Sequence, residues 1–196
     1  MVIRDGREEL YPSLKKEILA CRKCRLCEKR LQVVPGEGDL YSPLLFVGEG
    51  PGQREDQQGR PFVGPAGVLL ESLIQRCLGL KREQVYITNI VKCRPPENRD
   101  PLPDEVEACR LYLIAQIGLI APALVCILGR HSLHTLLDPD WSISTVHGKP
   151  RRKDGILFFP TFHPAAALRS PQVKEELSLD FHTLRLLVEK ETRLGA

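Results

Sequence analysis

Residues 44–52 read Leu-Leu-Phe-Val-Gly-Glu-Gly-Pro-Gly, four apolar residues followed at once by a turn-forming run. A short apolar stretch stopped by glycine and proline is the signature of a buried strand. Working outward, similar apolar runs recur at 85–87, 123–128 and 156–159. Between them the apolar spacing becomes helical. Residues 66–78 place Val68, Leu69, Leu70, Leu73, Ile74 and Cys77 on or near one face, and 103–120 open on Pro103, whose missing N–H costs little in a first turn. Residues 131–137 suit a short helix, 173–190 a closing one, and 12–20 a helix ahead of the first cysteines. Strands alternating with helices predict an α/β protein, a three-layer α/β/α arrangement with a central, mostly parallel four-stranded sheet and right-handed crossovers. With no internal repeat and 196 residues, one domain is expected over 1–196.

In open α/β sheets ligands bind outside the carboxyl ends of the strands. The unusual loops here follow those ends, at 48–52, 88–93 and 161–169. They should converge on one crevice and bring Glu49, Asn89 and His163 near one another.

Composition sets broad limits. Apolar content of 42% and charged content of 27% are ordinary for a globular chain and argue against disorder or a collagen-like fold. A net charge of +3 is too weak to imply nucleic acid by itself, although Arg22, Lys23, Arg25, Lys29 and Arg30 form one basic cluster and Lys149, Arg151, Arg152 and Lys153 another. The longest apolar stretch, 111–128, is interrupted by Gln116, Gly118 and Pro122 and reads as helix plus strand, not a membrane span. No secretory signal pattern opens the sequence, so a cytoplasmic location is expected. In a reducing compartment the seven cysteines are not expected to form disulfides. Cys77 and Cys126 fit as small buried hydrophobes. Cys21, Cys24 and Cys27, spaced C-x2-C-x2-C, and Cys93 and Cys109 lie in polar surroundings and point to a metal centre. Thiolates suit zinc or an iron–sulfur cluster, and spacing alone does not choose.

Each remaining motif is weak alone. The glycine-rich 48–52 fits neither the dinucleotide fingerprint nor the P-loop. Phe62 lies between Gly59 and Gly64 where no periodicity requires it, Asn89 ends a strand, and His163-Pro164 opens a run of alanines. Together, CRKC (21–24), GEGPGQRED (48–56), GRPFVGPAG (59–67), YITNIVKCRPPENR (86–99) with Cys109, and FHPAAALR (162–169) closely resemble the family 4 uracil-DNA glycosylases, the thermostable type with a 4Fe–4S cluster.

That resemblance implies a DNA-repair hydrolase that flips uracil from DNA and cuts its N-glycosidic bond, with Cys21, Cys24, Cys93 and Cys109 holding the cluster and Cys27 a neighbour. It implies that Phe62 stacks on the base, Asn89 reads its edge, and His163 donates to uracil O2 as the anion forms. Family 1 enzymes have an aspartate where Gly50 stands here, so Glu49 is the nearest carboxylate for the water or the cationic sugar. Glu55 is placed near uracil C5, where it disfavours thymine. Pro164, Leu168 and Arg169 resemble the segment that enters the minor groove. The expected partner is uracil-containing DNA, met by a monomer and no membrane. A glycosylase of broader choice, taking hypoxanthine as well, is the first alternative; a non-enzymatic zinc-type DNA-binding protein leaves Phe62, Asn89 and His163 without a purpose. The covalent uracil-binding relatives carry a basic, His-containing insert that 92–103, KCRPPENRDPLP, lacks.

Overall fold

The computed structural model describes residues 6–194. Its elements run α1 (Arg7–Ala20), β1 (Glu37–Gly38), β2 (Leu44–Gly48), α2 (Gln53–Gln58), α3 (Pro65–Leu73), β3 (Tyr86–Asn89), α4 (Pro103–Ile120), β4 (Leu124–Leu128), α5 (Arg130–Leu136), α6 (Ile143–Val146), β5 (Arg151–Lys153), β6 (Ile156–Thr161), α7 (Pro164–Ala167) and α8 (Pro171–Leu194). The strands form one sheet in the order β1-β3-β2-β4-β6-β5. The four inner strands are parallel, with Phe46 opposite Ile87 and Cys126, and Cys126 opposite Phe159. The expected parallel core is present, but the sheet has six strands: β1 and β5 add short antiparallel edges to β3 and β6.

Alternation along the inner strands separates two cores. Leu45, Val47, Tyr86, Val125, Ile127 and Phe158 face Ile18 of α1, Leu113, Ile117 and Ile120 of α4, and Leu133 of α5. Leu44, Phe46, Ile87, Cys126, Leu128 and Phe159 face Leu70 and Leu73 of α3 and Leu177, Phe181 and Leu184 of α8. Every residue of β2, β3 and β4 is buried, as strands covered on both faces must be. No helix among the described residues is long and apolar enough to cross a membrane.

Strand β3 and helix α8 each run a few residues beyond the expected 85–87 and 173–190, and three further boundaries shift. Helix α1 begins before Pro12 and carries it internally. The stretch expected as a helix over 66–78 is α3 followed by a π-turn over Ile74–Leu78, closed by Gly79 at φ 68°. Strand β6 runs on to Thr161 through Pro160, whose carbonyl accepts from Gly148 N at 2.9 Å. That extension carries His163 to the lip of the sheet.

Candidate active site

The carboxyl ends of β2, β3, β4 and β6 open into one cleft of about 640 Å³. The loop after β2 contributes Glu49 and Gly50, α2 contributes Glu55, β3 contributes Asn89, and the segment after β6 contributes His163 and Arg169. Phe62 lines it from the loop between α2 and α3. The three loops singled out by the strand-end rule do converge.

Asn89 ends β3 with 1% of its surface exposed. Its Oδ1 is the buried side-chain polar atom that has no hydrogen-bond partner among the described residues. Unmet polar atoms of this kind cost about 1–3 kcal/mol in a folded protein, so one at a cleft floor points to a ligand that supplies the donor. The main chain of Asn89 is fixed from behind, its carbonyl accepting from Lys92 Nζ at 2.7 Å, while the same nitrogen donates to Thr88 Oγ1 at 2.7 Å.

Phe62 stands beside it in the left-handed region, φ 52°, which an aromatic residue enters only when its surroundings force it. The forcing is visible. Arg82 donates to the carbonyls of Pro61 and Phe62, the latter at 3.0 Å, and is held by Glu37, which also grips Arg60. Glu55 Oε1 accepts from Val63 N at 2.8 Å and Gly64 N at 2.7 Å. Two glycines leave room: a Cβ at Gly67 would lie 1.9 Å from Phe62 O, and one at Gly48 would lie 2.5 Å from both Asn89 Oδ1 and Phe62 Cζ.

The Phe62 ring stacks towards His163, with centroids 5.6 Å apart and planes at 29°. His163 caps the short helix α7, its Nδ1 accepting from Ala165 N at 3.1 Å. An accepting Nδ1 carries no proton, so the neutral ring keeps its proton on Nε2. Burial pushes the imidazole down to about 4, with Glu55 opposing that shift and His131 adding to it. At neutral pH His163 is therefore an uncharged donor. Beneath it Thr161 Oγ1 donates to Asp180 at 2.6 Å, and His147 Nδ1 lies 3.0 Å from the same carboxylate, fastening the end of β6 to α8.

Glu49 meets a group of its own. Its Oε2 lies 3.7 Å from His131 Nε2, which in turn lies 3.3 Å from Asp100 Oδ2. Arg130 closes the set, donating from Nη2 to Asp100 at 2.5 Å and from Nε to His131 Nε2 at 3.1 Å. Burial raises the Glu49 carboxyl above its ordinary value, His131 and Arg130 lower it, and Asp100 raises it. Gly50 contributes no side chain; a Cβ there would stand 2.8 Å from Val91. In the segment after β6 the expected DNA-facing residues divide. Leu168 is 52% exposed, Arg169 is exposed and lines the cleft, and Pro164 is buried at the first position of α7, where it shapes the turn.

On the α1–α4 side, Cys21, Cys24, Cys27, Cys93 and Cys109 line a second, small cavity with Arg30, Lys92 and Tyr112. All are free thiols. Arg30 donates to Cys93 Sγ at 3.0 Å and to the Cys21 carbonyl at 2.8 Å, and Lys92 N donates to Cys109 Sγ at 3.4 Å. Burial raises the thiols of Cys24 and Cys109 and pushes Cys93 up to about 11. Cys77 and Cys126 are buried in the other core, as expected of small hydrophobes.

The family model described as the uracil DNA glycosylase superfamily matches residues 35–182, a span holding all of the cleft loops. The chain belongs to that superfamily. It is 47% identical over 182 residues to a type-4 uracil-DNA glycosylase of Sulfurisphaera tokodaii, covering 89% of this chain and 83% of the relative. It is similarly related to type-4 enzymes of Archaeoglobus fulgidus, 42% identical across 93% of this chain and 96% of that one, and of Thermotoga maritima, 43% identical across 94% and 98%. Likeness at this level and coverage places the chain in the type-4 branch of the uracil-DNA glycosylases.

Several residues that shape this glycosylase cleft were not legible beforehand. Arg82, Asp100 and His131 reach the site or its walls from a short 3-10 turn, a loop and a helix start, with nothing in their local spacing to mark them. The one available signal was position, since His131 follows the end of β4 as Asn89 ends β3.

Proposed function

We propose that the chain excises uracil from DNA, hydrolysing the bond between the base and C1′ of its deoxyribose and leaving an abasic site. The observation that carries this reading is the partnerless Asn89 Oδ1 at the floor of a cleft walled by Phe62 and His163. Uracil presents N3–H beside O4, a donor next to an acceptor. An asparagine amide meets that pair with Oδ1 and Nδ2, whereas cytosine presents the pair reversed. A mismatched base leaves buried polar groups unpaired, the condition for strong discrimination.

A base must leave the helix to reach such a floor, at a cost of a few kcal/mol. Stacking on Phe62 offsets part of it, about 1–3 kcal/mol by comparison with other base-stacking sites. Leu168 and Arg169, both exposed, would fill the gap in the duplex and meet the backbone, and Glu55, which braces the turn after Phe62, would disfavour a thymine methyl. As the N1–C1′ bond breaks, its electrons pass to the base and charge gathers at O2, where the Nε2–H of His163 donates. A fixed donor aimed at developing charge is commonly the largest single contribution to such a step. Glu49, as a carboxylate, offsets positive charge on the sugar and receives a proton from the water that forms the new bond to C1′.

The reading extends to a 4Fe–4S cluster held by Cys21, Cys24, Cys93 and Cys109; what supports it is that these free thiols line one cavity, with Arg30 donating to Cys93 Sγ and Lys92 N to Cys109 Sγ. The cluster would supply a structural crosslink between the end of α1 and the segment from Cys93 to α4; hydrolysis transfers no electrons. The enzyme acts on uracil-containing DNA as a cytoplasmic monomer.

The test is single-turnover release from oligonucleotides holding uracil, cytosine, thymine or hypoxanthine at one position, for wild type and Asn89→Asp. Wild type should release uracil far faster than the others. The variant replaces a donor to O4 with an acceptor, so its uracil-to-cytosine ratio should collapse. An unchanged ratio removes Asn89 from base reading, and equal wild-type release of hypoxanthine establishes the broader activity.

A further inference from the structure

His131 stands outside every motif that carries the family resemblance, yet it is the histidine that faces Glu49. Among the described residues the Glu49 carboxylate has one ion pair, with His131, and no shorter hydrogen bond. His131 sits in the first turn of α5, its side chain 21% exposed, between Glu49 at 32% and Asp100 at the open rim at 57%.

We propose that His131 is a positioning residue that keeps Glu49 ionised in acid, by taking up a proton at Nε2 and exchanging its contact with Arg130 for ion pairs to Asp100 and Glu49. The proposal rests on the reading of Glu49 as the carboxylate beside the sugar. Its basis is the geometry of one nitrogen with three neighbours. In the arrangement seen, Nε2 accepts from Arg130 Nε, which requires the lone pair and hence an unprotonated Nε2. The carboxylates of Asp100 and Glu49 lie 3.3 and 3.7 Å from the same atom and gain nothing from that form. Once Nε2 binds a proton it can no longer accept from Arg130 and becomes a donor to both. Arg130 need not leave, because Nη2 remains on Asp100. The cation so formed lies 3.7 Å from the Glu49 carboxylate and opposes protonation of its neighbour.

The other charged groups around the cleft do not duplicate this. Arg99 is held by Glu105 at 2.6 Å, Lys92 is turned inward onto Thr88 and Asn89, and His163 stays neutral down to about pH 4. Glu55 is taken by the amides of Val63 and Gly64, and Arg169 lines the cleft from the segment after α7. Asp100 and Arg130, which bear on Glu49 with opposite signs, are themselves paired.

The experiment compares single-turnover uracil release from pH 4.5 to 8.5 for wild type, His131→Gln and Glu49→Gln. Glutamine keeps a polar side chain of similar reach and cannot become a cation. An opposite charge at this distance moves a carboxyl by about one unit or more, so the acid limb of His131→Gln should rise by about one pH unit. Its rate should then fall relative to wild type by a factor that grows towards about tenfold at the acid end of the range, while the two rates agree within about threefold at pH 8. A merely structural role would lower the rate by one factor at every pH. Coincident profile shapes overturn the proposal. Glu49→Gln separates the two readings: a wild-type rate at pH 7 removes Glu49 from the chemistry, whereas a large loss there beside an unshifted His131→Gln profile refutes the His131 proposal alone.

Discussion

Gly48→Ala is the sharpest test of how the cleft is built, because one methyl group meets the base-reading amide and the stacking ring together. Residue 48 ends β2 outside the left-handed region, so alanine meets no backbone penalty there. The penalty is contact: the new Cβ would stand 2.5 Å from Asn89 Oδ1 and 2.5 Å from Phe62 Cζ, where ordinary van der Waals contact begins at 3.4 Å. One partner must retreat by about 0.9 Å. The main chains are held, Asn89 through its carbonyl by Lys92 and Phe62 through Arg82 and the Glu55-braced turn, so the retreat falls on the amide and the ring themselves. A misplacement of about 1 Å at a reacting geometry costs about 100-fold in rate, about 2.7 kcal/mol in activation free energy. Overpacking should cost a further 1–3 kcal/mol or so of stability. Gly118→Ala is the matched control, since nothing lies within 4 Å of a Cβ there and the position is helical. Single-turnover uracil release and thermal denaturation of both variants decide the matter. If Gly48→Ala cleaves within about threefold of wild type, Asn89 and Phe62 do not define the pocket together.

His163→Ala should slow single-turnover cleavage by about 100- to 1,000-fold with DNA affinity little changed, as for loss of one donor to a developing oxyanion; near-normal cleavage would remove His163 from the mechanism. The same variant has a stability signature. An unfolded histidine protonates near 6.5 and the folded one only near 4, so wild type loses stability as pH falls through that window and the alanine variant should lose less of it, as denaturant titrations at pH 7 and 5 would show. Protein purified without oxygen should be brown with broad visible absorption and contain iron, and Cys93→Ser should lose both; a colourless protein with one zinc per chain would refute the cluster while leaving the base-excision claim intact.

What could be read from the sequence followed how strongly each element is buried. β2 and β4 are apolar throughout because both faces are covered, and they are therefore visible as runs. β1, two residues long, and β5, fully exposed Arg-Arg-Lys, have no apolar pattern; they form because the sheet offers open edges, a tertiary cause that local reading does not contain. Pro12 suits the start of a helix over 12–20, yet α1 begins at Arg7 and carries the proline internally. In the site, the strand-end rule brings Glu49, Asn89 and His163 together without knowledge of their roles, whereas Phe62 stands out only by its odd position between glycines and takes its role from the family resemblance. The supports were hidden. Arg82 is one arginine among many until its donors are seen on the carbonyls of Pro61 and Phe62, and the acidic face of the cleft depends on Asp100 arriving from a loop of no regular structure. Pro164, expected at the DNA surface, is buried because the first position of α7 needs its fixed backbone more than the surface needs its ring.

The lone acceptor of Asn89 has a consequence for how such a chain tolerates change. An apolar side chain of like size at this position would need no donor, whereas the amide oxygen, with no partner among the described residues, needs one. For thermal persistence alone the asparagine has no advantage over such a side chain; what it adds is a reading of whatever enters the cleft. Conformational stability and base discrimination therefore pull in opposite directions at one atom, and a thermostabilising screen run without a catalytic readout should drift there first.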